Sequence, residues 1–165
     1  MPGKIKVFGW RALNGLLPCK AILANRHISP TGGCPVCNNG AEDIKHMIFL
    51  CDRARLVWNS MGIGQTINEL LGTDRSGSIV LEEVIRRREQ VQSLEVGLAE
   101  LILTGGWFLW WERRQLVHGE AVQRPQRFRP LDYLSNKEFQ VSSCKRIKDT
   151  PRMEETPRRI YHAKH

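Results

Sequence analysis

Eighteen consecutive residues constrain this chain more than any other stretch. Cys34-Pro-Val-Cys37 is followed by His46 after eight residues and by Cys51 after four more. Three soft thiolates and one imidazole make a full four-coordinate donor set for zinc. The two residues between Cys34 and Cys37 let one tight turn present both sulfurs to the same ion. The step from His46 to Cys51 is about one helical turn plus one residue, so the second pair converges as well. Four protein ligands close the tetrahedron and leave no position for a reacting water, which makes the site structural rather than catalytic. A redox Cys-x-x-Cys pair is the competing reading. It requires the motif to open a helix in a strand-helix-strand setting, and no such setting surrounds it.

The rest of the composition agrees with a small zinc-organised protein. A length of 165 residues holds one modest domain plus appendages, and 41% apolar content is enough for a small core. The cysteines number five, an odd count, and the metal set already accounts for most of the thiols, so reduced thiols fit better than a disulfide framework. No N-terminal segment joins a basic start, an apolar run and a small-residue cleavage site. The expectation is an intracellular protein of nucleus or cytoplasm, not a secreted one. The net charge of +8 is uneven. Residues 1–60 carry eight Lys/Arg against three Asp/Glu, residues 61–120 six against nine, and residues 121–165 eleven against five. Basic segments of this kind suit a nucleic-acid backbone, although solubility alone also accounts for a charge of this size.

Along the chain the periodicity predicts helices. Residues 4–17 place Ile5, Phe8, Ala12 and Leu16 at helical spacing, with Trp10, Leu13 and Leu17 widening the apolar face and Pro18 as the stop. A second short helix is expected over 19–26, with Ile22 and Leu23 inward, before Pro30-Thr-Gly-Gly33 breaks regular structure. Asp43 is placed to cap a short helix holding Ile44, His46, Met47 and Phe49. Asp52 is placed to cap another, whose stripe is Ala54, Val57, Trp58 and Met61.

Lys6-Val-Phe8-Gly-Trp10-Arg11-Ala-Leu13, Leu17-Pro18, Leu23, Arg26, the four ligands, Ala54 and Val57-Trp58 together resemble the zinc-binding module of reverse transcriptases from plant non-LTR (LINE-type) retrotransposons. The resemblance covers about residues 4–62. Members of that family often carry Thr or Ser where this chain has Cys19, a change that removes a helix cap and touches no ligand. The resemblance implies an accessory element downstream of a polymerase domain, one that helps to hold template RNA or target DNA without catalysing anything itself. Trp110-Trp111-Glu-Arg113-Arg114 resembles, more loosely, the tryptophan-arginine segment that follows the module in many such elements, with Arg114 where Asn is usual.

Beyond residue 62 the patterning is simpler. Residues 63–78 read as a Gly/Ser/Thr-rich linker around a short Ile67–Leu71 turn. Residues 79–92 read as a helix with Leu81, Val84, Ile85 and Val91 inward. Its Arg86-Arg87-Arg88 run reads as a solvated charged face among glutamates rather than a nuclear-import or phosphate patch. Residues 94–118 are the most apolar stretch. Glu100 and Gly105-Gly106 interrupt it, and its run is too short for a membrane span, so a buried helix kinked near the glycines is expected, with Leu98, Leu101, Ile102, Phe108 and Leu109 inward. The clustered tryptophans are expected in the core rather than stacked on bases. From about residue 121, scattered prolines and basic side chains predict a disordered tail.

The expected fold is therefore mainly α: a small helical zinc-binding domain over 1–62, a linker over 63–78, a Trp-rich helical segment over 79–120 and a disordered basic tail over 121–165. Zn²⁺ is the expected cofactor, held by Cys34, Cys37, His46 and Cys51. His27 would be a fifth ligand and is set aside. Weak nucleic-acid contacts are expected at Lys4, Lys6, Arg11, Lys20 and Arg26. A polymerase domain or another protein is a possible partner, and no membrane or small-molecule substrate is expected. No polymerase aspartate pair, ribonuclease H carboxylate cluster or phosphate loop is legible, so no enzymatic activity is expected. Two alternatives stay open: a protein-interaction or structural module that packs on a missing polymerase body, and a decayed retroelement fragment.

Overall fold

The structure, a computed structural model, describes residues 1–91 and 95–119. The expected basic tail over 121–165, with Cys144, lies outside the described residues. What is described is mainly helical, as the periodicity predicts, and its buried apolar side chains other than Phe108 form one continuous core.

Helix α1 (Gly3–Leu13) buries Ile5, Phe8, Gly9 and Ala12. It stops four residues earlier than expected, because Gly15 and not Pro18 ends it. Gly15 takes a left-handed φ of +67°. Its amide donates to the Ala12 carbonyl at 3.3 Å, and the Leu16 amide donates to Arg11 at 2.8 Å. That is a Schellman closure, available cheaply only to glycine. The early stop leaves Leu16 exposed and turns Leu17 into the core, while Trp10, expected inward, faces solvent.

Helix α2 (Lys20–Asn25) follows, with Cys19 as its buried N-cap. Residues 46–50 form a π-helical turn, in which the Cys51 amide donates to the His46 carbonyl five residues back at 2.7 Å. Helix α3 (Asp52–Ser60) buries Ala54, Val57 and Trp58. Its N-cap is Cys51 rather than the expected Asp52, which sits inside the first turn and serves the helix dipole instead. The buried Trp58 indole donates to the Ile48 carbonyl at 2.8 Å, pinning α3 to the π turn.

The stretch 63–78 contains helix α4 (Gly64–Leu70), whose Ile67 and Leu70 join the same core. Helix α5 (Gly77–Arg87) begins at Ser76, whose hydroxyl accepts from the Ile79 amide. Its Arg86 and Arg87 pair with Glu82 and Glu83 at 2.7 and 2.8 Å, one helical turn away, as a charged solvent face would. Two short strands, β1 (Gln90–Val91) and β2 (Val96–Gly97), pair antiparallel and lead into helix α6 (Leu98–Val117).

Helix α6 is the spine. The five residues expected inward are all buried, and so are Gly105 and Gly106. These glycines do not interrupt the helix; they let neighbours approach it. A Cβ on Gly105 would lie 2.6 Å from the Trp58 ring, and one on Gly106 would lie 3.3 Å from the Phe8 ring. On the opposite partner, a Cβ on Gly9 of α1 would lie 2.8 Å from Leu103. No described helix is long and apolar enough to cross a membrane.

Because Trp58 is itself fully enclosed, it has nowhere to retreat from an added methyl group. Gly105→Ala should therefore cost about 1–3 kcal/mol of unfolding free energy by overpacking. Gly3→Ala, which would meet nothing within 4 Å, should stay within about 0.5 kcal/mol of the parent. Urea denaturation of both variants checks this, and equal stability would rule out the Trp58–Gly105 contact.

Candidate metal centre

Each sulfur and the imidazole reach one point through a different local device. Gly33 and Ala41 form an antiparallel bridge, and the Cys34 amide donates to the Gly40 carbonyl at 3.0 Å, closing the loop that carries the first pair. Within it Asn38 and Gly40 adopt left-handed backbone, with φ of +55° and +74°. Asp43 caps the next segment as expected, its carboxylate accepting from the His46 amide at 2.6 Å. The π turn then absorbs the one residue by which the His46–Cys51 gap exceeds a helical turn.

The ligand atoms of Cys34, Cys37, His46 and Cys51 all lie within 4.8 Å of one another. The Cys34 and Cys51 sulfurs are 3.9 Å apart, and Nε2 of His46 is 3.3 Å from the Cys37 sulfur. Tetrahedral zinc with Zn–S near 2.3 Å and Zn–N near 2.0 Å requires separations of about 3.5–3.8 Å. The donor chemistry and the spacing both fit Zn²⁺. Cys34 and Cys51 are buried, whereas Cys37 and His46 are half-buried. His27, exposed with a φ of +57°, is not among them.

The electrostatics of the sulfurs point the same way. A hydrogen bond from the Cys51 thiol, followed by backbone amides of Cys37 and Val36, holds the Cys34 thiol well below its ordinary value. The same shared proton pushes Cys51 up, against the backbone amide of Arg53. A cation replacing that proton leaves the amide donors in place to support both thiolates. Cys19 behaves differently. Burial, reinforced by the Glu42 carboxylate, pushes its thiol up to about 12, so it is an inert core thiol.

Four side chains outside the ligand set hold it against α6. Glu42, in the loop between the ligand pairs, is fully buried and meets the Arg113 guanidinium through two hydrogen bonds of 2.7 Å. Its Oε2 also accepts from the Lys20 amide at 2.7 Å and so supplies the N-cap that Cys19 does not. Arg53, at the start of α3, forms a second two-pronged pair with Glu112. Arg113 further lies 5.0 Å from the Trp110 ring centroid, a cation–π contact. A narrow cleft lined by Cys34, Cys51, Met47, Leu109, Glu112 and Arg113 joins the ligands to this network. The signal for it was present in helical phase: Phe108 to Glu112 and Leu109 to Arg113 are each four residues apart, which carries the buried face of α6 onto two charges.

The five basic residues expected at a nucleic-acid surface differ in exposure. Lys6 and Arg11 are exposed on α1, and Arg26 is exposed just past α2. Lys4 instead lies 4.6 Å from the Trp107 ring centroid, where burial lowers its pKa. Lys20 is half-buried and donates to the Ser29 hydroxyl at 3.5 Å.

Compared with known proteins, residues 1–58 match the model of a family described as zinc-binding in reverse transcriptase. The match takes in all four ligands and ends inside α3. The family is a zinc-binding one, not a catalytic one. No curated protein and no solved structure matches the chain.

Removing one member of a buried pair strands the other. Arg113→Ala leaves the enclosed Glu42 carboxylate uncompensated and should cost about 3–5 kcal/mol. The exposed Arg86→Ala should cost less than about 0.5 kcal/mol. Thermal unfolding followed by circular dichroism separates the two, and a small loss for Arg113→Ala would contradict the buried pairing.

Proposed function

We propose that the protein is a non-catalytic structural-zinc module of retrotransposon reverse-transcriptase type, in which Cys34, Cys37, His46 and Cys51 ligate Zn²⁺ and the folded surface binds RNA or DNA backbone as an accessory to a polymerase. The convergence of four soft donors, with no open coordination position, carries this reading. The ion's contribution is to folding, on the order of 10–16 kcal/mol in small zinc-binding peptides.

Three thiolates and a neutral imidazole around a divalent cation leave a net negative charge, so the centre itself repels phosphate. The nearby Lys45 and Arg53 do not serve as free phosphate contacts, since Asp74 and Glu112 engage them. Phosphate contacts belong instead on the exposed basic positions Lys6, Arg11 and Arg26. Binding of this kind reads charge rather than base sequence and weakens steeply with salt.

Two measurements test the reading. Cys37→Ser should lose stoichiometric zinc by native mass spectrometry and most helical circular dichroism with it; full helicity in excess chelator would count against a structural ion. Labelled single-stranded RNA titrated at about 50 and 200 mM salt should show affinity falling by roughly tenfold or more for a footprint of a few phosphates. Absence of binding at the lower salt would remove the nucleic-acid role and favour a surface that packs on protein.

A further inference from the structure

Helix α1 is split between two environments. Its inner face is given to Ile5, Phe8, Gly9 and Ala12 against the core. Its outer face exposes Lys6, Val7, Trp10, Arg11 and Asn14, which recur at three- and four-residue steps and so form one continuous stripe. Trp10 is 58% exposed, and no other tryptophan among the described residues is classed as open to solvent. Val7 beside it is 52% exposed. The helix carries no acidic residue, and neither Lys6 nor Arg11 forms an ion pair with a described residue.

Trp10 and Val7 together form an exposed apolar patch rimmed by Lys6, Arg11 and Asn14, the pattern that marks an interaction site. Tryptophan and arginine are also common at protein-binding patches, but lysine is depleted there, so Lys6 is the residue that favours nucleic acid. Single-stranded nucleic acid fits both halves of the pattern. Its unpaired bases offer a π-face to the indole, while its phosphates meet the ammonium and guanidinium groups on either side. Resting on the nucleic-acid reading above, we propose that the outer face of α1 is a stacking platform for single-stranded nucleic acid, with Trp10 taking a base and Lys6 and Arg11 taking adjacent phosphates. Such a site prefers single strands to duplexes, whose bases are already stacked.

The test uses the 165-residue, zinc-loaded chain and two labelled probes of equal length, oligothymidylate and the same backbone with abasic sites, followed by fluorescence anisotropy at low salt. Trp10→Ala should weaken oligothymidylate binding by roughly tenfold, as expected for one lost base–aromatic stack, and abasic binding by less than about twofold. Trp10→Phe should recover most of the loss. Because the side chain lies outside the core, zinc content and circular dichroism should match the parent. Equal loss on both probes, or none on either, would overturn the platform while leaving backbone binding intact. A parent that sediments as a dimer and a Trp10→Ala variant that sediments as a monomer, with unchanged affinity, would make the face a protein interface and equally overturn it. If the parent binds neither probe, the nucleic-acid reading falls and the platform falls with it.

Discussion

One carboxylate joins most of what the fold must bring together. Glu42 has no exposed surface, and each of its polar groups is committed. Its oxygens take the Arg113 fork and the Lys20 amide, its carbonyl accepts from Ala21, and its own amide donates to Gly32. The first two amides of α2 are thus satisfied by a residue in the zinc loop, which explains how a six-residue helix without a capping side chain holds its place. Burying such a pair does not guarantee net stability, because desolvation offsets most of the attraction. Its effect is to make wrong arrangements expensive. Glu112 and Arg113 are adjacent on α6 and of opposite sign, and they face Arg53 and Glu42 in the complementary order. A slip of one residue sets like charges against each other, so the pairs fix how α6 docks on the loop.

That docking gives the metal centre a rigid wall. A zinc ion constrains its four ligands but says little about the orientation of the loop as a body. Here the ligand pairs are locked locally by the Gly33–Ala41 bridge, the Asp43 cap and the π turn, and globally by two ion pairs to a helix more than fifty residues away in sequence. The free energy of metal binding is comparable with the ~5–15 kcal/mol stability of an ordinary domain. Loss of the ion is therefore expected to reach α6 through Glu42 and Arg53, not to stay confined to the loop.

Much of this was legible in the residues. Ligand identity follows from donor chemistry and spacing, which depend on short stretches of chain and not on tertiary context. The inward positions of α3, α5 and α6 follow from a 3.6-residue period, a property of local geometry. What escaped was set by pairs distant in sequence or by single backbone conformations. Gly15 ends α1 through a left-handed turn that a reading centred on Pro18 overlooks. Trp10 shares helical phase with neither Ile5 nor Ala12, and hydrophobicity alone misplaced it inward. Gly105-Gly106 read as a weak point because helix propensity is local, whereas their use is to admit Trp58 and Phe8. Glu42 and Arg113 are seventy-one residues apart, and neither carries a mark of its partner in the sequence.

The family match and the core have different extents, and the difference has a physical meaning. Residues 1–58 hold all four ligands, yet Ile5, Phe8, Ile48 and Trp58 are enclosed within a core to which α5 and α6 also contribute. Apolar surface of that kind is worth about 25 cal/mol per Å² when buried, and without the later helices those four large side chains would lose much of their cover. A zinc loop can keep its coordination chemistry while its supporting layer changes, since the ligands need only local geometry to converge. The support in this chain is α6, and the complementary charges at its end are what couple a recognisable metal motif to a sequence that matches no known structure. The outer face of α1 is free to meet a partner only because α6 already occupies the inner one.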